Sequence, residues 1–244
     1  MIIREENIGD CRLILGDCLD VLPMLGTFDA VVTDPPYGIG ESSKNVQSRQ
    51  RKAGGNSKAL ADQKDYGDFA WDNQPASPEH IAAMLACSKS QIIFGGNYFE
   101  LAPTSCWLVW DKQNGENDFA DCELAWTNLQ GAVRRIYWRW NGMIRKGQEE
   151  RFHPTQKPLG VMRWALQHLP KTARTVCDPF MGSATTGVAC VRECLSFVGI
   201  EKDERYFDIA CRRIADAVAQ PADMFAANEA AQPTQLSILD GDAA

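Results

Sequence analysis

The sequence predicts an α/β fold, a doubly wound and mostly parallel sheet, and three observations predict it. Short apolar runs alternate with segments of helical period through most of the 244 residues. Two of those runs, Phe28–Thr33 and Thr175–Cys177, are nearly continuous in apolar residues, as strands covered on both faces are. Soon after each run comes an Asp-Pro turn, Asp34-Pro35 and Asp178-Pro179, at the strand end where open α/β sheets hold ligands.

In chain order, residues 11–15 read as a strand and Asp20–Leu25 as a helical turn. The strand Phe28–Thr33 ends in Asp34-Pro35-Pro36-Tyr37-Gly38, which can continue neither strand nor helix. Residues 38–75 are polar and without period, so a long mobile loop is expected there. Ser77-Pro78-Glu79 opens a helix over 77–88, with Ser77 as N-cap and Pro78 in the first turn. Strand-like runs recur at 90–94, 106–111, 121–127 and 132–140, the later ones predicting antiparallel hairpins at one end of the sheet. Residues 155–169 place Val161, Trp164, Ala165 and Leu169 on one side of a helix. After Thr175–Cys177 a helix starts beyond Gly182-Ser183, Ser196–Ile200 forms a strand, and 203–219 forms a helix with Tyr206, Ile209, Ala210, Ile214 and Ala217 at helical spacing. From about 220 the chain is rich in Ala, Pro and Asp, so the domain is read as 1–220 with a flexible tail at 221–244.

Composition narrows the function classes. A hydrophobic share of 45% is that of an ordinary globular domain. No window approaches the roughly 18 apolar residues of a membrane span, and Met1–Glu6 lacks a signal-peptide core, so a cytoplasmic location in a bacterium or phage is expected. Nine cysteines, none in a C-x-x-C pair, match neither a zinc site nor a disulfide framework and are read as reduced core residues, with no metal expected. The net charge of −7 argues against a polyanion partner only globally, because phosphate contacts need a local basic face. Such faces exist: Lys44, Arg49, Arg51 and Lys52 lie in one basic stretch, and Arg134, Arg135 and Arg139 alternate with Tyr137, Trp138 and Trp140 in another. That alternation suits phosphate contact with base stacking; a half-buried strand with a solvated basic face is the competing reading.

Asp34-Pro35-Pro36-Tyr37 alone could be a capped turn. Asp178-Pro179-Phe180-Met181-Gly182-Ser183-Ala184-Thr185-Thr186-Gly187 adds a glycine turn whose following helix presents free N–H groups. Glu201, at the next strand's tip and 19 residues past Gly182, has the spacing of a carboxylate that binds ribose hydroxyls. The absence of G-x-x-x-x-G-K-[ST] and of G-x-G-x-x-G argues against a nucleoside triphosphate and a nicotinamide dinucleotide, leaving an adenosyl ligand without pyrophosphate.

In this order the motifs resemble those of the beta group of S-adenosylmethionine-dependent DNA amino-methyltransferases, which act on adenine N6 or cytosine N4. There D-P-P-Y precedes D-P-F-x-G-S-G-T-T. The resemblance spans residues 10–215 and implies a Rossmann-like methyltransferase fold with circularly permuted motifs and small inserted target-recognition elements within 38–75 and 112–150. It implies that Asp34, Pro35, Pro36 and Tyr37 are catalytic, with the Asp34 carboxylate and Pro35 carbonyl drawing on the target N–H groups and Tyr37 stacking on a flipped base. Gly16-Asp17-Cys18 matches the segment for the cofactor adenine, with Asp17 on its amino group. Glu201 would hold the ribose. His153-Pro154-Thr155-Gln156-Lys157-Pro158 matches the segment ahead of the cofactor strand. Thr155, Lys157 and the loop Asp178, Pro179, Phe180, Gly182, Ser183 would hold the methionine moiety, with Thr185 closing that segment; a solvated helix-start lysine is the other reading of Lys157. Ala184 replaces the family's usual glycine, tolerable unless the backbone needs positive φ. The implied substrate is double-stranded DNA, adenine rather than cytosine because related cytosine enzymes more often carry Ser in place of Asp34, and the implied setting is restriction-modification. A catalytically silent DNA-binding relative, and methylation of protein glutamine or RNA, are the other readings. A monomer or homodimer is compatible with the chain, and Gln235-Leu236-Ser237-Ile238-Leu239 resembles a peptide that docks on bacterial sliding clamps.

Overall fold

The computed structural model describes residues 1–38, 74–114, 120–140 and 156–220. Lys44, Arg49, Arg51, Lys52, His153, Thr155, most of the recognition loop at 38–75 and the segment Gln235–Leu239 lie outside the described residues. The described chain runs β1 (Ile2–Ile8), β2 (Cys11–Gly16), α1 (Cys18–Leu25), β3 (Phe28–Thr33), α2 (Pro78–Ala86), β4 (Ser88–Phe94), β5 (Leu108–Asp111), β6 (Cys122–Thr127), β7 (Arg134–Tyr137), α3 (Leu159–Leu166), β8 (Thr175–Asp178), α4 (Thr185–Arg192), β9 (Ser196–Glu201) and α5 (Glu204–Ala219).

All nine of these strands join one sheet in the order β1-β2-β9-β8-β3-β4-β6-β5-β7. The five central strands β2, β9, β8, β3 and β4 are mutually parallel, and their apolar sequences follow from being covered on both faces. From β3 the chain crosses through α2 to β4 on one side, and from β8 through α4 to β9 on the other. Right-handed crossovers that leave in opposite directions must put their helices on opposite faces. The packing agrees: α1 and α2 bury Val21, Leu22, Ile81 and Met84 on one face, while α3, α4 and α5 bury Met162, Ala189, Phe207 and Ile214 on the other. The neighbours β3 and β8 therefore flank the topological switch point, where the carboxyl ends of the strands open a crevice.

Two expectations are corrected. The later strands were expected as antiparallel hairpins; β5 and β6 do pair antiparallel, but β7 pairs parallel to β5, Leu108 with Arg134 through Asp111 with Tyr137. A parallel return is built here because β7 takes the outer edge rather than folding back on β6. The second correction is β1, which sequence reading leaves unassigned because three consecutive charges, Arg4, Glu5 and Glu6, interrupt the apolar residues of Ile2–Ile8. It exists by pairing antiparallel to the edge of β2 and by tethering Arg4 to Asp208 and over the Phe207 ring, 4.5 Å from its centroid.

The aromatic residues of the basic stretch divide. Arg134, Arg135, Tyr137 and Arg139 are exposed. Trp140 is buried in the core, and Trp138 packs so closely on Gly160 that a Cβ there would overlap its ring. Neither tryptophan is placed to stack on a base. Arg135 lies 4.3 Å from the centroid of the Tyr137 ring and 3.8 Å from Asp111.

Candidate active site

Four carboxylates line up where the parallel strands end. Asp17 follows β2, Glu201 closes β9, Asp178 closes β8 and Asp34 follows β3, in the order of the strands across the sheet. Three inter-strand steps of about 4.8 Å make a rim about 14 Å long.

Each carboxylate is set by local structure. Asp17 is the N-cap of α1, its Oδ1 accepting the Leu19 N–H at 2.9 Å. Beside it, Cys18 and His80 bring their side chains within 4.8 Å of the Asp17 carboxylate, and His80 sits 5.5 Å from the Phe180 ring. Burial and the neighbouring Asp17 push the Cys18 thiol up to about 12, so it stays protonated. Glu201 bridges two loops: Oε2 accepts the Gly182 N–H at 2.9 Å, while Oε1 accepts those of Lys202 at 2.9 Å and Asp203 at 2.8 Å. Asp178 is almost fully buried and accepts the hydroxyls of Thr33 and Thr186, each at 2.6 Å, and the Phe180 N–H at 3.1 Å. Its carboxylate thus ties β3, the Pro179–Gly182 turn and α4 together. Ser183, also buried, lies 3.4 Å from Gln156 Oε1, and Thr185 is buried in the first turn of α4, its hydroxyl accepting from Arg213 at 3.1 Å.

Ala184 occupies the N-cap of α4 at φ 59° and ψ 42°, fully buried. The condition under which the alanine would matter is therefore met: the turn needs a left-handed residue. Strain of about 1 kcal/mol is offset by burial of one methyl, about 0.8 kcal/mol. Ala184→Gly is expected to change stability by less than about 1 kcal/mol, whereas Ala184→Val, β-branched at positive φ in a full site, should cost on the order of 3 kcal/mol. Urea denaturation reads both; a valine variant as stable as the parent would remove the strain argument.

Burial raises two rim acids, Asp178 to about 6 and Glu201 to about 7, their hydrogen bonds only partly offsetting it. An acid whose folded value lies above its unfolded one binds its proton more tightly when folded. Its contribution to stability is present at low pH and is lost as pH rises from about 4.5 through 7. The ligand-free protein should lose thermal stability over that window, and Glu201→Gln should flatten the slope; an unchanged slope in a melting series from pH 5 to 8 would refute the assignment.

Asp34 stands in a different company. Its Oδ1 accepts the Tyr37 hydroxyl and its Oδ2 pairs with Lys157 Nζ at 2.6 Å. Lys157 is buried, not solvated, and also lies 3.0 Å from Glu123 Oε2 at the start of β6 and 3.2 Å from the Tyr37 hydroxyl. Lys112, just past β5, pairs with Glu123 Oε1 at 2.5 Å. Burial raises Asp34 and would raise Glu123, but Lys157 and Lys112 overcome that and hold Glu123 at about 2. Burial would lower Lys157, but Asp34 and Glu123 outweigh it and raise the ammonium. Burial, with Asp34 and Glu123, keeps Tyr37 a neutral phenol. Its ring stacks on Tyr98, centroids 5.0 Å apart at 14°, and presses on Gly95, where a Cβ would overlap it; Gly95 holds φ 66°. The Pro36 carbonyl accepts the Ala76 N–H at 2.9 Å, which pins the Asp34–Tyr37 turn from across the loop.

Asp17, Cys18, Asp34, Tyr37, Lys157, Asp178, Phe180, Gly182, Ser183 and Glu201 therefore share one edge of the sheet with the turns that carry Pro35, Pro36 and Pro179. Lys157 sits with Asp34 rather than on the glycine turn. Arg134, Arg135 and Arg139 lie on the β7 side, five strands from Asp178 in the sheet order. Glu123, Lys112 and Tyr98 were missed by sequence reading. Glu123 sits in Cys122–Thr127, whose half-apolar pattern marks it only as a strand residue; the one available signal was a lone acid beside a buried run.

Comparison with known proteins adds relatives. A family whose model is described as DNA methylase matches residues 104–212. The chain is 30% identical over 269 aligned positions to the type II methyltransferase M.HinfI of Haemophilus influenzae, covering 91% of this chain and 74% of that protein. It is 26% identical over 121 positions to the type II methyltransferase M2.MboI of Moraxella bovis, covering 49% and 44% respectively. Among solved structures, M1.HpyAVI in complex with SAM shares the fold at a TM-score of 0.54 and 20% identity, covering 84% of this chain and 98% of that one. PvuII DNA methyltransferase, described as cytosine-N4-specific, shares it at 0.52 and 14%, covering 93% and 94%.

Proposed function

The chain belongs to the N6/N4 DNA methylase family, and from that premise we propose that it transfers a methyl group from S-adenosylmethionine to the exocyclic amino group of adenine in double-stranded DNA. The observation that carries the reading is the row of carboxylates ending on Asp34 beside Tyr37 at the switch point.

The donor set suits this cofactor. Asp17, Glu201, Asp178 and Asp34 make an anionic rim that would repel a pyrophosphate but accepts ribose hydroxyls, an adenine amino group and a cationic sulfonium. Asp17 would hold the adenine amino group, Glu201 the ribose, and the turn from Pro179 to Ser183 the methionine end, where Gly182 at φ 52° lets the backbone approach closely. The Asp178 carboxylate accepts three internal hydrogen bonds and serves to shape that turn. When bound, the cofactor supplies an electrophilic methyl on its sulfonium.

The residues of this chain supply acceptors and position. An aromatic amino group is a weak nucleophile because its lone pair is delocalised into the ring. Asp34 and the Pro35 carbonyl accept from its two N–H groups and draw that lone pair out along the line of attack. The Tyr37 ring, braced by Tyr98, provides a face for the base, which must leave the duplex to reach the rim. Arg134 and Arg139, both exposed, supply phosphate contacts from the β7 edge, together with the basic residues Lys44, Arg49, Arg51 and Lys52.

Cytosine N4 is the second reading, because the same acceptor pair serves either amino group and the similar PvuII enzyme is described as cytosine-N4-specific. Incubation with methyl-labelled cofactor and mixed-sequence duplex DNA, followed by digestion to nucleosides, decides between them. Label on N6-methyladenine is expected. Label on N4-methylcytosine establishes the second reading, and label on neither overturns both.

A further inference from the structure

The carboxylate that must accept the target amino group is already engaged by another donor. Lys157 Nζ sits 2.6 Å from Asp34 Oδ2 and 3.0 Å from Glu123 Oε2. The second contact is an ion pair without an aligned hydrogen bond, and Glu123 Oε2 is buried. Lys112 Nζ, 2.5 Å from Glu123 Oε1 and 5.0 Å from the centroid of the Trp110 ring, closes the far end. Asp34, Lys157, Glu123 and Lys112 thus form a row alternating in sign, drawn from the loop after β3, the segment before α3, the start of β6 and the residue after β5.

An ammonium and an amino N–H both donate; Oδ2 has lone pairs for both, but an ammonium 2.6 Å away draws off the negative charge that makes the carboxylate a strong acceptor. The amino group is gripped most strongly when Lys157 loosens its hold on Asp34. The ammonium cannot simply be released, because an unpaired buried charge is costly. We propose that Glu123 is a positioning residue for methyl transfer, the second seat to which Lys157 turns, still charge-paired, when a target amino group takes Asp34 Oδ2. The movement is small, since Nζ already lies within hydrogen-bond distance of both seats. It also withdraws positive charge from Asp34 at the moment its carboxylate has to draw on the target N–H. Lys112 holds Glu123 ionised and so keeps the second seat available. The proposal rests on the methyl-transfer reading of the Asp34 site.

The test compares the full chain with its Glu123→Gln and Glu123→Asp variants in two measurements. The first is single-turnover methylation of duplex DNA alongside cofactor affinity by calorimetry. Glu123→Gln is expected to slow methylation by about 10- to 100-fold with cofactor affinity within about two-fold, and Glu123→Asp to recover part of the rate. The second is a lysine 13Cε NMR titration of the protein without cofactor, the Lys157 signal being the one missing from Lys157→Met. Among the described residues, Asp34, Tyr37, Glu123 and, one step further out, Lys112 are the titratable groups around that ammonium. Its titration midpoint is expected to fall in Glu123→Gln. A Glu123→Gln variant that methylates at the parent rate overturns the proposal, as does an unmoved Lys157 midpoint. If the parent chain labels no DNA base while the midpoint still moves, the methyl-transfer reading fails and the charge row stands as structure alone.

Discussion

Asp34→Ala and Asp34→Asn are expected to slow methyl transfer by at least about 10³-fold while cofactor affinity changes only a few-fold. Removal of one preorganised hydrogen-bonding group from a reacting centre costs about 10²–10³. Asp34 also positions Tyr37, whose hydroxyl donates to it, and Lys157, whose ammonium it pairs. Asparagine keeps the shape of the side chain but offers one neutral carbonyl where two anionic oxygens stood, so the asparagine variant separates charge from packing. Glu123 remains to pair Lys157 in either variant, which protects the fold. Single-turnover rates on a DNA carrying the target base, with circular dichroism as the folding check, read the outcome. An asparagine variant within ten-fold of the parent would remove Asp34 from the reaction.

The second large effect is on stability as well as rate. Lys157→Met leaves Asp34 and Glu123 near one another with no cation between them, each buried apart from a small exposed fraction. Breaking a buried ion pair by removing one partner costs about 3–5 kcal/mol; here the removal strips Asp34 of its cation and leaves Glu123 with Lys112 alone. Asp34, buried beside the still ionised Glu123, would then favour its protonated form, so the folded variant gains a proton relative to the unfolded chain. Its deficit should therefore be smaller at pH 5.5 than at pH 8. Adding Glu123→Gln to Lys157→Met should return part of the stability, because it removes the like charge, and none of the rate. Chemical denaturation at the two pH values tests this. A Lys157→Met variant as stable as the parent at pH 8 would show that the ammonium is not what holds the two acids together.

Much of this molecule was legible in local sequence. The parallel strands at 28–33 and 175–178 announced themselves by unbroken apolar runs, because burial on both faces leaves no polar period. Asp34-Pro35-Pro36-Tyr37 and the turn at Pro179–Ser183 were visible because proline and glycine act on the backbone where they stand. Even the strain at Ala184 was foreseeable as a condition on one φ, and the left-handed N-cap met it. The helix start at Ser77 followed from capping chemistry confined to one turn, and the helix from 203 from its apolar spacing.

What the sequence could not determine depends on groups that are distant along the chain. That β3 and β8 are neighbours, so that Thr33 clamps Asp178, is a fact of sheet order across 145 residues. The charged β1 strand exists only because β2 offers an open edge. Trp138 and Trp140 read either as base-stacking partners or as residues of a half-buried strand, and only packing set Trp140 in the core and Trp138 against Gly160. Lys157 read equally well as a solvated lysine, since nothing in its neighbours at 156 and 158 specifies a carboxylate 123 residues away. By itself the sequence determined the chemistry at each strand end, because backbone geometry and residue type are local properties. Tertiary structure alone decided which charges face each other, because Coulomb pairing depends on distance in space, and spacing along a chain does not carry it.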